Sequence, residues 1–179
     1  MRVIAGTHRG RRLVAPPGRD TRPTSDRVRE ALFSILAARV VDARVLDVFA
    51  GSGALGIEAL SRGAGSALFS DSSRAAVAAV RANLQALGLD AHVVAGDARR
   101  VLRDAHARGA AYDLIFLDPP YRQAEHWAPD LSQLVPTVLA PGGRVVSESD
   151  RRRPLQLDLP LLGERRYGDT LIRLHTHEH

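Results

Sequence analysis

Apolar runs and amphipathic segments alternate along most of this chain. The apolar, strand-like runs cover 44–49, 66–70, 91–95, 113–117 and 143–147, and helix-like segments lie between them at about 54–62, 73–87, 98–107 and 126–139. Strands that are apolar along their whole length are typical of a parallel sheet that helices cover on both faces. The pattern therefore predicts an α/β fold built on a mainly parallel sheet.

The N-terminal part departs from this alternation. Residues 2–5 and 11–14 are short β-prone runs on either side of a basic, glycine-containing loop, which predicts a hairpin. Prolines and glycine then break the chain, and Thr24 or Ser25 can cap a helix that runs to about residue 39. The apolar face of that helix is expected to consist of Val28, Leu32, Ile35 and Leu36.

The C-terminal part also differs, because 155–159 and 170–174 are expected to form a final antiparallel pair. The sequence shows neither a repeat nor an interdomain linker. We therefore predict one domain over 1–179, with a basic extension over 1–23 and a catalytic core over 24–179.

The positive charge is concentrated near the N-terminus. All 25 residues counted as Lys or Arg are Arg, and the net charge is +5. Residues 1–30 hold eight Arg and three acids, so this stretch carries the whole excess. Such a distribution predicts a polyanionic partner, with phosphates contacted by Arg9, Arg11, Arg12 and Arg22.

Composition excludes several classes of protein. The chain has no cysteine, which excludes disulfides, Cys-zinc sites and thiol nucleophiles. It has no apolar run of about 18 residues, the length needed to span a bilayer. We expect a cytoplasmic monomer that needs neither a membrane nor a metal.

A glycine turn follows the first predicted strand. The stretch Asp47–Gly56 contains G-x-G-x-x-G, and a turn of this kind lets a nucleotide cofactor approach backbone N–H groups at the start of a helix. The same glycines also suit a tight turn that binds nothing. The candidate cofactor ligands in this turn are Asp47, Phe49, Ala50, Gly51, Ser52 and Gly53.

Three acids follow or end predicted strands at positions that suit a cofactor. Asp71 can accept hydrogen bonds from ribose hydroxyls or cap the next helix. Asp97, followed by Ala98, can reach an adenine amino group or cap a helix in the same way. Asp47 can receive the ammonium group of a methionine moiety or only hold the loop. NAD and FAD enzymes share such glycines, but an acid before them favours S-adenosylmethionine (SAM).

The most specific motif is Asp118-Pro119-Pro120-Tyr121, directly after the apolar run 113–117. Two prolines end a strand and stiffen the backbone, so they hold the Asp118 carboxylate and the Pro119 carbonyl at the sheet edge where ligands bind. Two acceptors can bind both N–H groups of an exocyclic amine and aim its lone pair at an electrophile. Tyr121 can stack on the base. The motif therefore predicts methylation of an amino group on a base.

Together the motifs resemble those of the bacterial methyltransferases that make N2-methylguanine in 16S ribosomal RNA. The matching segments are Arg2–Gly6, Gly10–Leu13, Pro17–Gly18, Arg22–Phe33, Asp47–Gly56, Glu58–Ala64, Asp118–Tyr121 and Tyr167–Thr170. This resemblance covers nearly the full length, and its most selective parts are Arg22–Phe33 and Tyr167–Thr170.

The resemblance implies a Rossmann-like SAM-dependent methyltransferase fold with seven strands and a reversed last strand. It implies methyl transfer to guanine N2, at position 966 of 16S rRNA in the family, in the small ribosomal subunit or its assembly intermediate. It also implies that Arg22, Pro23 and Thr24 pack near the methionine end of the cofactor. One departure is Asp71, where the family more often has the longer Glu.

Three other functions compete with this interpretation. The Asp-Pro-Pro-Tyr motif also fits an adenine or cytosine amino-methyltransferase on DNA or RNA. The glycine turn fits an NAD-binding oxidoreductase, which would leave Asp47 and Asp118 without a role. A non-catalytic RNA-binding assembly factor is the third, and the intact motif argues against it.

Overall fold

The computed structural model describes residues 1–18 and 24–177, and a seven-stranded sheet forms its centre. The strands are β1 (Arg44–Asp47), β2 (Ser66–Asp71), β3 (His92–Ala95), β4 (Tyr112–Leu117), β5 (Leu139–Asp150), β6 (Leu161–Tyr167) and β7 (Thr170–Thr176). Their spatial order is β3-β2-β1-β4-β5-β7-β6. Strands β1 to β5 pair in parallel, whereas β7 runs antiparallel to both β5 and β6. The predicted α/β fold with a reversed last strand is confirmed.

The described residues form five α-helices, of which the first precedes β1 and the other four each connect two consecutive strands. They are α1 (Asp26–Leu36), α2 (Ala54–Ser61), α3 (Arg74–Leu87), α4 (Ala98–Ala107) and α5 (Ala124–Leu134). Side-chain oxygens that accept backbone N–H groups cap three of them, from Ser25 for α1, Ser73 for α3 and Asp97 for α4. No helix among the described residues is long and apolar enough to cross a membrane.

Two apolar clusters fill the two faces of the sheet. The first contains Phe33, Ile57 and Val80, and so joins α1, α2 and α3 to one face. The second contains Leu102 and Leu131, and so joins α4 and α5 to the other face. Because both faces are covered, the central strands are apolar along their length, as the sequence pattern requires.

The N-terminal extension folds back on the first layer of helices. Its hairpin has a single antiparallel bridge, between Arg2 and Arg12, and Val3 and Leu13 are buried in the first cluster. The loop contacts α2, because the Thr7 backbone N–H donates to the Ser61 carbonyl at 2.9 Å. The extension is thus packed against the core along residues 1–14.

Two details of the predicted elements are wrong. The final hairpin pairs β6 with β7, and residues 155–159 form no strand. Pro154 and Pro160 bracket that segment and lack the N–H groups a ladder needs, while Leu155 is fully buried in the second cluster.

The second error concerns α1. Ile35 is 41% exposed, whereas Arg29 is completely buried on the inner face. The Arg29 guanidinium donates to the Arg2 carbonyl at 2.7 Å and to Asp26 at 2.8 Å, which satisfies part of its polarity. The α-helix ends at Leu36, where Ala37 has a φ of 47°, and a 3-10 helix over Ala37–Val40 then carries the helical segment to the predicted end at about residue 39.

Candidate active site

The carboxyl ends of the parallel strands form one edge of the sheet, and a cleft opens there. Strands β1 and β2 end at Asp47 and Asp71, Asp118 follows β4, and β5 brings Glu148 to the same edge. In open α/β sheets this edge is where ligands bind. The N-terminal extension also reaches the cleft through Met1, Ala15 and Pro16.

The glycine turn contributes backbone to the wall of the cleft. Phe49, Ala50, Gly51 and Ser52 line the cleft. Gly51 has a φ of 58° and Gly53 a φ of 83°, in the left-handed region that favours glycine. Gly53 is not among the lining residues, and it allows the chain to turn sharply into α2.

Asp47 lies at the base of this turn and is almost completely buried, with 2% of its surface exposed. The Gly56 N–H donates to its Oδ2 at 3.1 Å. Burial raises the pKa of Asp47 to about 7, the hydrogen bond from Gly56 opposes the rise, and nearby Asp71 adds to it. A cation bound in the cleft would favour the ionised form.

Asp71 connects two backbone turns and also lines the cleft. The Gly51 N–H donates to its Oδ2 at 3.0 Å, and the Ser73 N–H donates to its Oδ1 at 2.9 Å. The cap of α3 is the Ser73 hydroxyl rather than Asp71. Asp71 therefore holds the glycine turn against the start of α3, and its contact with a ribose stays a prediction.

Asp97 has a different environment. Its side chain caps α4 by accepting from the Arg99 N–H at 2.9 Å, and it pairs with the Arg99 guanidinium at 3.3 Å. Neither Asp97 nor the buried Ala98 is among the residues that line the cleft. The adenine contact predicted for these two residues stays a prediction.

All four residues of the Asp118-Pro119-Pro120-Tyr121 motif line the cleft. The Pro120 carbonyl accepts from the Gln123 N–H at 2.8 Å, which turns the chain into α5. The pKa of Asp150 is lowered by the Arg152 backbone N–H and by a hydrogen bond from the Tyr121 side chain. Tyr121 remains 43% exposed, so its ring is accessible to a base in the cleft.

Sequence reasoning missed Glu148, which lines the cleft from β5. The Thr24 hydroxyl donates a short hydrogen bond to Glu148 Oε2. Burial raises the pKa of Glu148, and the bond from Thr24 opposes that rise. Its position after an apolar run, like that of Asp118, was the signal that could have found it.

An aromatic group closes another side of the cleft. Phe49 and Trp127 both line it and meet edge to face, with ring centroids 5.2 Å apart. The Arg99 guanidinium lies 4.3 Å from the centroid of the Trp127 ring. Trp127 packs in the second cluster and also lines the cleft.

The predicted phosphate contacts lie on the extension. Arg9, Arg11 and Arg12 are all exposed, and Arg11 also donates to the Ala86 carbonyl of α3 at 2.7 Å. Arg22 lies outside the described residues, as does Pro23. Within 1–18 and 24–177, no group of three or more His, Asp or Glu side chains is arranged to hold a metal ion.

Comparison with known proteins agrees with this geometry. A family model described as "Conserved hypothetical protein 95" matches residues 1–176. The "Ribosomal RNA small subunit methyltransferase D" of Haemophilus influenzae is 34% identical over 182 residues, which cover 98% of this chain and 93% of that protein. The protein of the same name from Escherichia coli K12 is 45% identical over 127 residues, 69% of this chain and 61% of that protein.

A solved structure of a hypothetical protein from Thermus thermophilus superposes with a TM-score of 0.85. It is 32% identical, and the match covers 98% of both chains. The resemblance to bacterial small-subunit rRNA methyltransferases is therefore confirmed, and the chain belongs to the family described as Conserved hypothetical protein 95.

Proposed function

We propose that this protein is a SAM-dependent methyltransferase that modifies the exocyclic N2 of a guanine in 16S rRNA, the guanine at position 966 in the family. The observation that carries the proposal is the position of Asp118-Pro119-Pro120-Tyr121 in one cleft with Asp47 and the glycine turn. The names of the relatives, which are small-subunit rRNA methyltransferases, support the same substrate.

The charge of the cleft favours SAM over a dinucleotide. Four carboxylates line it, from Asp47, Asp71, Asp118 and Glu148, and no Arg or His is among its described lining residues. SAM carries a positive sulfonium and a positive ammonium, which such a site attracts. The pyrophosphate of NAD or FAD is negative, so these carboxylates would repel it.

The residues of the cleft divide the work of binding between them. Asp47 at the base of the glycine turn suits the ammonium of the methionine moiety, and Asp71 suits the ribose. The glycine turn brings backbone close to the ligand without side chains in the way. SAM when bound supplies an electrophilic methyl group on its sulfonium.

The target amine is held from the opposite side by the Asp-Pro-Pro-Tyr motif. The Asp118 carboxylate and the Pro119 carbonyl accept its two N–H groups, so the nitrogen lone pair points away from them toward the methyl carbon. Transfer would form the N–C bond as the C–S bond breaks, so that the sulfonium leaves as a neutral thioether, and the nitrogen would release one proton to the Asp118 carboxylate or to solvent. Stacking of Tyr121 on the base contributes about 1–3 kcal/mol to binding. Orientation supplies most of the rate enhancement.

The extension supplies the contact with RNA. Arg9, Arg11 and Arg12 are exposed on it, and Ala15 and Pro16 of the same segment line the cleft. A phosphate backbone that binds these arginines would therefore pass beside the opening in which the base is methylated. The partner is 16S rRNA in the small ribosomal subunit, and the enzyme acts as a cytoplasmic monomer.

The test is methyl transfer from labelled SAM to unmodified small subunits and to naked 16S RNA, followed by nucleoside mass spectrometry. We expect N2-methylguanosine from the wild type and none from Asp118→Ala, which should still bind SAM in calorimetry. Asp104→Ala, which removes an exposed carboxylate on α4, is the matched control and should retain activity. Methyladenosine or methylcytidine as the product would replace guanine by another base, and full turnover by Asp118→Ala would contradict the mechanism.

The role of the extension has its own test. Arg9→Glu with Arg12→Glu should weaken RNA binding and reduce the slope of log K against log salt by about 0.7–0.9 for each phosphate that is no longer neutralised. Arg11 is left intact because it also bonds to α3. Arg100→Glu with Arg103→Glu on α4 makes the same change of net charge away from the extension and is the control. An unaltered slope in the Arg9→Glu and Arg12→Glu variant would remove the extension from RNA binding.

A further inference from the structure

Asp118, the residue after β4, and Glu148 of the neighbouring strand β5 both line the cleft. Phe116 pairs in register with Val146, and both belong to the first apolar cluster. Side chains alternate along a strand, so the residues two positions further on point to the same side. Those residues are Asp118 and Glu148, and both line the cleft. The register of β4 and β5 therefore directs two carboxylates, one just beyond β4 and one on β5, toward the same part of the cleft.

The Glu148 carboxylate is held by a second contact. The Thr24 hydroxyl donates to its Oε2 from the residue just before the cap of α1. Such a donor favours the ionised form, whose oxygens are acceptors only. Burial alone acts in the opposite direction on the pKa of Glu148. Thr24 is thus a positioning residue that holds the Glu148 carboxyl group in place.

Two adjacent acceptors match the chemistry of one base. Guanine carries an exocyclic amine at N2 next to a ring N1–H, so two neighbouring positions of its edge are donors. In adenine and cytosine the ring nitrogen beside the amine is an acceptor, which a carboxylate repels. We propose that Glu148 is the specificity-determining residue of this site and accepts the guanine N1–H while Asp118 and the Pro119 carbonyl hold the N2 amine. This inference rests on the proposed methyl transfer to guanine.

The inference can be tested by pairing an enzyme variant with a base analogue. The target guanosine is replaced by 2,6-diaminopurine riboside in rRNA assembled by ligation, which keeps the N2 amine but changes N1 from a donor into an acceptor. Single-turnover methylation of both RNAs is measured with the wild type and with Glu148→Gln. Because Gln has both a C=O and an NH2, its amide can turn to pair with either base.

The wild type should methylate guanine at least about tenfold faster than diaminopurine, since the analogue leaves a partly buried carboxylate facing a lone pair. In Glu148→Gln the ratio should fall to within about threefold. SAM affinity and the thermal midpoint, measured on both proteins, report any general damage. A role of Glu148 in folding alone would slow both RNAs equally and leave the ratio unchanged.

The outcomes separate this inference from the function on which it rests. A wild type that methylates guanine N2 but accepts diaminopurine equally well overturns the role of Glu148 and leaves the proposed function standing. Discrimination that persists unchanged in Glu148→Gln overturns it as well, because another residue must then read N1. No methylation of guanine by the wild type would count against the proposed function itself.

Discussion

Glu58 on α2 fastens the N-terminal extension to the core, and its removal should release that extension. Its side chain is completely buried and accepts from the Ile4 N–H at 3.0 Å and from the Ala5 N–H at 3.2 Å. It also pairs with Arg62 at 3.1 Å. Glu58→Ala leaves two backbone donors and one guanidinium without this acceptor.

The magnitude follows from those contacts. An orphaned buried donor costs about 1–3 kcal/mol, and we take the lower end for each N–H because Ile4 and Ala5 are only half-buried. The free energy that holds the extension in its docked position should fall by about 2 kcal/mol. This loss makes the equilibrium constant for opening about 30-fold larger. Glu58→Gln should lose less, because its amide oxygen still accepts.

Hydrogen exchange at the Ile4 and Ala5 amides measures this loss directly. The amides of β1 and β4 lie in the centre of the sheet. Their exchange should become faster only by as much as the loss of global stability requires. SAM affinity should also fall, since Met1 and Pro16 of the released segment line the cleft. Glu30→Ala removes an exposed carboxylate on α1 as the control. Unchanged exchange at Ile4 and Ala5 in Glu58→Ala would refute the reasoning.

Three further substitutions have defined expectations. Burial raises the pKa of Asp47 to about 7, so SAM should bind about tenfold more tightly near pH 8 than near pH 6. Calorimetry on Asp47→Asn should show weaker SAM binding that no longer depends on pH in this range. Gly6→Ala places a Cβ 1.9 Å from the Ser61 carbonyl oxygen at a φ of +87°, whereas the Cβ of Gly10→Ala, at a similar φ, has nothing within 4 Å. In urea unfolding, Gly6→Ala should therefore lose about 1–3 kcal/mol more stability than Gly10→Ala. Burial lowers the pKa of His175 to about 4, so the protein should lose stability as the pH falls below about 6.5, the pKa of histidine in the unfolded chain. The thermal midpoint of His175→Leu should change less with pH between about 6.5 and 4.

Local sequence patterns were sufficient to predict the elements whose residues are all in the same environment, such as strands buried on both faces. Strands such as β4 are buried on both faces, so an apolar run marks them whatever their neighbours are. The segment 155–159 has the same apolar character, but it packs Leu155 into the core without forming a ladder. Composition cannot distinguish these two cases, because the difference lies in which backbone N–H groups find partners.

The residues of the candidate site also divide into those that a local motif reveals and those that only the pairing of strands reveals. Asp118 was found because two prolines beside it form a motif that is visible along the chain. Glu148 lies in a strand with no motif, and its importance depends on the register that brings β5 beside β4. Asp97 caps α4, and because a helix cap and a ligand have the same local sequence, its adenine contact stays a prediction.

One amide side chain joins the extension to the glycine turn. Asn83 of α3 accepts from the Val14 N–H at 2.8 Å and donates to the Val14 carbonyl and to the Ser52 carbonyl, each at 2.9 Å. A ligand that orders Ser52 therefore also restrains the segment that precedes Pro16, so part of the entropy of ordering is shared between the two sites. Thermodynamic reciprocity then requires that any gain in RNA affinity caused by SAM is matched by an equal gain in SAM affinity caused by RNA. If the extension binds RNA as proposed, Asn83 would let the protein hold its methyl donor most tightly when the substrate is present.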